Sequence, residues 1–342
     1  MEIKSKLNMK IIKKVQSHGA NSSLYIVEDT QLKEIFMLKQ IDKNTIKESS
    51  KYFDEVRKIK DIENKNIVKV NYATYDDDNI YISMPYYKNG SLQDILQNRN
   101  LTVREIVKYS LDILSGIYYI HKNQILHCDI KPSNILIDDY NCAVLADFGS
   151  SININSDGVG KLKNVYYKHI APEQCYSSKV DMRIDIYQFG NTLYRMCNGE
   201  EEYNRQVKKR KNLPELKMAI VNGEFPARKK YYPHIPRKLI EITEKCLNLD
   251  PNDRYQSVLE ILNDMARVNT NLDWRYERED NIYRWIKENK KIVMYKQDGI
   301  WRVNYKTKGE FEQSFEKFSQ GFRYIRKIIK EEIGRASCRE RV

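Results

Sequence analysis

Between Met9 and Met84 the apolar residues come in short runs at the spacing of strands. Ile11-Ile12 and Leu24-Tyr25-Ile26-Val27 stand on either side of a polar loop, and Ile35-Phe36-Met37-Leu38-Lys39 follows. A charged stretch from Lys51 to Ile62 has helical spacing, and Ile67–Tyr75 and Ile80–Met84 then predict two strands around the turn Asp76-Asp77-Asp78-Asn79. From Ser91 the period lengthens. Leu92, Ile95 and Leu96 share one helical face, and Ile106, Tyr109, Ile113, Ile117 and Ile120 form a second, longer stripe. Further helices fit Asp185–Cys197, Glu215–Val221, Lys238–Leu247 and Val258–Met265. After Arg267 the pattern changes again. Ile292–Tyr295 and Ile300–Tyr305 predict two strands around Gln297-Asp298-Gly299, and Phe311–Ile333 predicts a helix with Phe315, Phe318, Phe322, Ile325 and Ile329 on one side. The chain is thus expected to be α+β: a β-rich lobe over about 9–85, a helical lobe over about 86–268, and a small α+β appendage over 270–332.

Length and composition agree with that division. The 342 residues are 41% hydrophobic, enough for a sizeable core, and 31% charged, with a net charge of +12. The surplus of lysine suits a solvated surface first, and acidic partners, nucleic acid among them, second. Six cysteines stand far apart with no C-x-x-C pair, so zinc is not expected, and Cys142, Cys197 and Cys246 sit among apolar neighbours as core thiols. The N-terminus lacks the apolar run of a signal peptide, and nothing resembles a membrane span. A reducing cytoplasm is the expected location. Residues 333–342 resemble the in-frame translation of a sequencing adapter and are expected to be non-native. Genomic DNA that encodes them and then a stop codon would contradict this.

Three motifs add chemistry to the pattern. His127-Cys128-Asp129-Ile130-Lys131-Pro132-Ser133-Asn134 is followed by Asp147-Phe148-Gly149 and then by Ala171-Pro172-Glu173. Each tripeptide alone would be weak, and Asp147-Phe148-Gly149 by itself would be an ordinary turn; the ordered set is specific. From Met9 to Val268 the chain resembles the eukaryotic-type Ser/Thr protein kinases, whose bilobal fold holds ATP between a β-rich lobe and a helical one. The resemblance implies that Asp129 accepts or orients the proton of the attacking hydroxyl and that Lys131 offsets charge on the γ-phosphate. It implies Asn134 and Asp147 as ligands of Mg²⁺, with Mn²⁺ as an alternative ion. Lys39 would hold the α- and β-phosphates and pair with Glu55 on the charged helix, a choice made over Asp54 and Glu63 from the distance to Asn66-Ile67-Val68. Ser17, Gly19 and Ser22 stand where the family has three glycines over the phosphates. Met84 and Tyr86 fall in the hinge that meets adenine. His127, Glu173, Asp185 and Arg254 would be structural supports.

The departures from the family pattern carry expectations of their own. Serines at positions 17 and 22 add a Cβ where backbone approaches phosphate, so nucleotide contact should be weaker or altered. Cys128 replaces the arginine that receives an activation-loop phosphate, so activity should depend little on phosphorylation between Gly149 and Ala171. Tyr166 stands where Ser/Thr-specific relatives have threonine, and it and Tyr167 are candidate autophosphorylation sites, whereas Lys131 points to Ser/Thr acceptors. The expected activity is transfer of the γ-phosphoryl group to Ser/Thr hydroxyls of protein substrates. The alternative is a kinase-like binding module with weak or no transfer. A regulatory partner is expected at residues 270–332. There Trp274, Trp285 and Trp301 read as core aromatics before they read as a nucleic-acid surface. Lys208-Lys209-Arg210-Lys211 reads as a solvated loop before it reads as a docking site.

Overall fold

A computed structural model describes residues 8–15, 22–46, 53–60, 62–162, 169–228, 230–306 and 310–339. Its N-terminal part is a five-stranded antiparallel sheet in the order β1-β2-β3-β5-β4, with β1 Met9–Val15, β2 Ser22–Asp29, β3 Ile35–Asp42, β4 Tyr72–Tyr75 and β5 Asn79–Pro85. Helix α1, Asp54–Ile59, meets β3 through the pair of Glu55 with Lys39. The alternation of a strand puts Met37 and Lys39 on one face of β3, and Lys39 pairs in register with Leu24 on one side and Ile82 on the other. Lys39 is therefore carried by an inner strand. The strand expected over Ile67–Tyr75 is shorter, because its first half is used elsewhere. Val68 N donates to Leu145 O and Leu145 N to Asn66 O, at 2.9 and 2.8 Å, which ties this segment to the helical lobe.

The helical lobe holds α2 Leu92–Asn98, α3 Val103–Lys122, α4 Arg183–Lys208, α5 Leu213–Val221, α6 Arg237–Cys246 and α7 Val258–Met265. Between α3 and α4 run short strands: β6 Ile125–Leu126, β7 Ile135–Ile137, β8 Ala143–Leu145, β9 Ile152–Asn153, β10 Gly160–Lys161 and β11 Lys179–Val180. Both α2 and α3 begin with capping boxes, Ser91 with Asp94 and Thr102 with Glu105, which satisfy the free N–H groups of the first turn. The stripe read from the sequence of α3 is fully buried at Ile106, Tyr109, Ile113, Ile117 and Ile120 and joins one core with Leu193, Leu239 and Ile261. Cys197 and Cys246 lie in that core, whereas Cys142 is only half-buried. Helix α4 runs past the expected end at Cys197 but breaks at Gly199, whose φ of 76° only glycine adopts without strain.

The C-terminal part differs most from expectation. It is a five-stranded meander, β12 Arg275–Glu279, β13 Ile282–Lys287, β14 Lys290–Gln297, β15 Ile300–Lys306 and β16 Glu310–Phe315, covered by α8 Phe318–Arg339. The sequence pattern predicts two of these strands, β14 and β15. The same pattern predicts residues 311–315 as helical; instead Phe311 and Phe315 pair with Tyr305 and Trp301 on β15, because the open edge of the sheet offers the backbone its partners. Trp274 and Trp285 are buried, and Trp301 packs on Phe318 with ring centroids 5.0 Å apart, so the aromatics build a core.

This core is fastened to the helical lobe. Tyr232, in the segment before α6, meets Tyr276 at 4.1 Å, Arg326 donates to Tyr231 O at 3.0 Å, and Arg104 pairs with Asp273 at 2.6 Å. Trp285 Nε1 donates to His234 Nδ1 at 3.2 Å, both residues being buried. Burial, with Arg326 nearby, holds His234 down to about 3, so its ring stays neutral and can accept. Trp285→Phe keeps a ring but leaves that acceptor without its donor. Thermal or denaturant unfolding is expected to show a loss of about 1–3 kcal/mol; an unchanged midpoint would remove the bond from the account.

Candidate active site

The loop between β6 and β7 is held from below by one helix. Asp185, fully buried near the start of α4, accepts from His127 N at 2.9 Å and Cys128 N at 2.8 Å, and its Oδ2 lies 2.8 Å from His121 Nε2. Burial pushes the Asp185 carboxyl up, but the His121 contact and the backbone donors outweigh it and hold it below the ordinary carboxylate range. One turn along α4, Gln188 accepts from Ile130 N and donates to Cys128 O, each at 2.9 Å. The two side chains fix Cys128 at a φ of 65°, a conformation costing about 1–3 kcal/mol outside glycine. His127 Nε2 lies 3.1 Å from Ala146 O, and its Nδ1 accepts from Asp129 N, as a neutral ring does. Burial depresses its pKa and keeps it so.

On this loop Asp129, Lys131 and Asn134 converge. Lys131 Nζ and Asn134 Nδ2 both donate to Asp129 Oδ2, at 2.7 and 2.9 Å. Asp129 Oδ1 is buried and has no hydrogen-bond partner among the described residues. Burial raises the Asp129 carboxyl above the ordinary range, and Lys131 opposes it.

The second group comes from three distant segments. Lys39 Nζ stands 2.9 and 3.0 Å from the two oxygens of Glu55 on α1 and 2.8 Å from Asp147 Oδ1. Asp54, the competing carboxylate, turns to Arg57. Burial lowers the Lys39 pKa, but Asp147 and Glu55 more than reverse it. Lys39, in turn, holds the Asp147 carboxyl down to about 2. Gly149 borders this cluster: a Cβ there would make ordinary contacts at 3.4 Å from Asp147 Oδ1 and 3.6 Å from Lys39 Nζ, so the cluster does not itself demand glycine. Helix α1 is also tied to the segment after Gly149, because Lys58 Nζ donates to Ser151 O.

A family model described as the protein kinase domain matches residues 12–265. The chain belongs to the protein kinase family. Over 214 residues it is 31% identical to the "Probable serine/threonine-protein kinase" of Clostridium acetobutylicum, covering 61% of this chain and 32% of that protein. Serine/threonine-protein kinase STY17 of Arabidopsis thaliana is 28% identical over 63% of this chain and 37% of its own length. For PrkC of Bacillus subtilis the identity is 26%, over 72% of this chain and 38% of the relative. The chain spans about a third of the length of these curated relatives.

Members of the protein kinase family transfer phosphoryl groups from ATP with Mg²⁺. The oxygens here fit such an ion. Among the described residues, Asp147 uses Oδ1 on Lys39 and leaves Oδ2, while Asn134 uses its amide N–H groups on Asp129 and leaves Oδ1 with only a distant Ser133 hydroxyl at 3.5 Å. One carboxylate and one amide oxygen make an incomplete cage, as Mg²⁺ takes when phosphate and water supply the rest. Met84 is the penultimate residue of β5, which Pro85 closes, and Tyr86, exposed, is the first residue after the strand. Ser22 opens β2; Ser17, Gly19, Tyr166 and Tyr167 lie outside the described residues. Glu173 and Arg254 pair through two bonds of 2.7 Å, and Arg254 also donates to Arg183 O at the start of α4. Among the described residues no helix is long and apolar enough to cross a membrane.

Sequence reasoning missed Gln188, His121 and Lys58. Gln188 follows Asp185 by one helical turn and so shares its face, a signal present in the spacing. Nothing local marks His121 or Lys58, whose partners are 64 and 93 residues away. The Lys58 bond holds α1, and with it Glu55, without any phosphate. Lys58→Met is therefore expected to lower kcat about tenfold, the loss of one charged hydrogen bond, in a steady-state assay; an unchanged rate would contradict the tie.

Proposed function

We propose that this chain is a serine/threonine protein kinase that moves the γ-phosphoryl group of ATP to hydroxyls of protein substrates. The observation that carries the reading is Asp129: one oxygen is held by Lys131 and Asn134, and the other is a buried acceptor with no partner among the described residues. An acceptor prepared in this way takes the hydrogen bond of an incoming hydroxyl and orients its lone pair toward phosphorus. Lys131, already beside Asp129, neutralises charge that develops on the transferred group. Lys39, positioned by Glu55, grips the α- and β-phosphates. Asn134 and Asp147 would hold Mg²⁺, which when bound neutralises the phosphate oxygens. Lys131 favours Ser/Thr acceptors, and the chain's own loop between Gly149 and Ala171 is a candidate for autophosphorylation. The buried thiols of Cys128, Cys197 and Cys246 fit a reducing cytoplasm.

The test is incubation with γ-labelled ATP and Mg²⁺, with a mixed peptide library, followed by phosphoamino-acid analysis. Label on serine and threonine that disappears in Asp129→Ala supports the reading. Equal label from the variant, or none from the wild type, overturns it.

A further inference from the structure

A recess of about 120 Å³ opens beyond the Gly199 break in α4, between the last turns of that helix and the segment that ends in Lys230. It is too small for a drug-sized ligand, which asks for about 300–1,000 Å³, but it suits a single acidic head group. Its wall carries Arg205, Lys209, Arg210 and Lys230 around the buried ring of Phe225. The carboxylates present do not balance them. Arg205 is matched by Glu202 at 2.6 Å, whereas Arg210 meets Glu224 only at 3.4 Å, and Lys209 and Lys230 have no ion-pair partner among the described residues. Cations at the end of a helix complement its dipole, which accounts for Lys208 and Lys209. It does not account for Lys230, which comes from another segment. Nor does it account for Arg210 Nε, which is buried with no hydrogen-bond acceptor among the described residues. A buried guanidinium N–H without an acceptor costs free energy unless a bound group supplies one.

We infer that this recess binds an acidic side chain, a carboxylate or a phosphate, of a protein substrate and so docks the substrate on the helical lobe away from the catalytic loop. The substrate assignment rests on the phosphotransfer reading above. The anion site itself rests on Lys209, Arg210 and Lys230. Fluorescence anisotropy tests it with the full chain, no ATP, and three labelled short peptides: one bearing a run of glutamates, the same peptide with phosphoserines, and its glutamine analogue. The acidic peptides are expected to bind and the glutamine analogue not. The exposed-residue double variant Lys209→Ala/Lys230→Ala is expected to lose about tenfold in affinity while phosphorylating a short neutral peptide as well as wild type does. Preference for the phosphoserine peptide would name phosphate as the anion; preference for glutamate would name carboxylate. Affinity unchanged in the double variant, or tighter binding of a single-stranded oligonucleotide of equal charge, would overturn the inference. Because binding is read without ATP, an inactive wild type would sink the enzymatic reading alone.

Discussion

Asp129→Asn is expected to lower kcat for peptide phosphorylation by about 10²–10⁴-fold, the range for loss of a positioned general base. Nucleotide affinity should change little, because the substitution spares Lys39, Glu55 and Asp147. The asparagine keeps the size of the side chain and can still accept from Lys131 and Asn134. What it lacks is the anionic free oxygen, so an intact fold with lost turnover isolates the role of Oδ1. The pH profile gives an independent reading. The proposed role of Asp129 needs it ionised, and burial raises its pKa, so turnover should fall with acid at a pH above the ordinary aspartate value of about 3.9. An acid limb that persists unchanged in Asp129→Asn would assign it to another group.

The largest structural effect is expected at Arg254. Its side chain is wholly buried and bonds to both oxygens of Glu173 and to the carbonyls of Asn248, Arg183 and Leu249, with its guanidinium 4.9 Å from the ring of Tyr187. Arg254→Met would strand the Glu173 carboxylate and three carbonyls. Removing one partner of a buried pair costs about 3–5 kcal/mol, so chemical denaturation should show a loss of that order. The double variant Arg254→Met/Glu173→Leu should recover part of it. No recovery would mean that the carbonyl bonds, and not the ion pair, carry the energy.

Much of this could be read along the chain because its signals are local. The α3 stripe repeats at helical spacing, and His127 to Asn134 and Asp147 to Gly149 are contiguous. Glu55 was separable from Asp54 only by distance to Asn66, and the structure turns Asp54 to Arg57. The failures share a cause. β12, β13 and β16 are strands because neighbouring strands satisfy their backbones, a fact that lies in register across the sheet and not in any one segment. The same holds for Lys58, whose partner is a carbonyl and so leaves no mark in side-chain chemistry.

The bond between Trp285 and His234, with Tyr232 laid on Tyr276, bears on where the molecule can be cut. The family match stops at residue 265, yet a fragment ending there would uncover the aromatic faces of Tyr232 and His234 to water. Such a fragment should express poorly or self-associate. A soluble, monomeric product would instead begin from the two lobes together with their C-terminal cap.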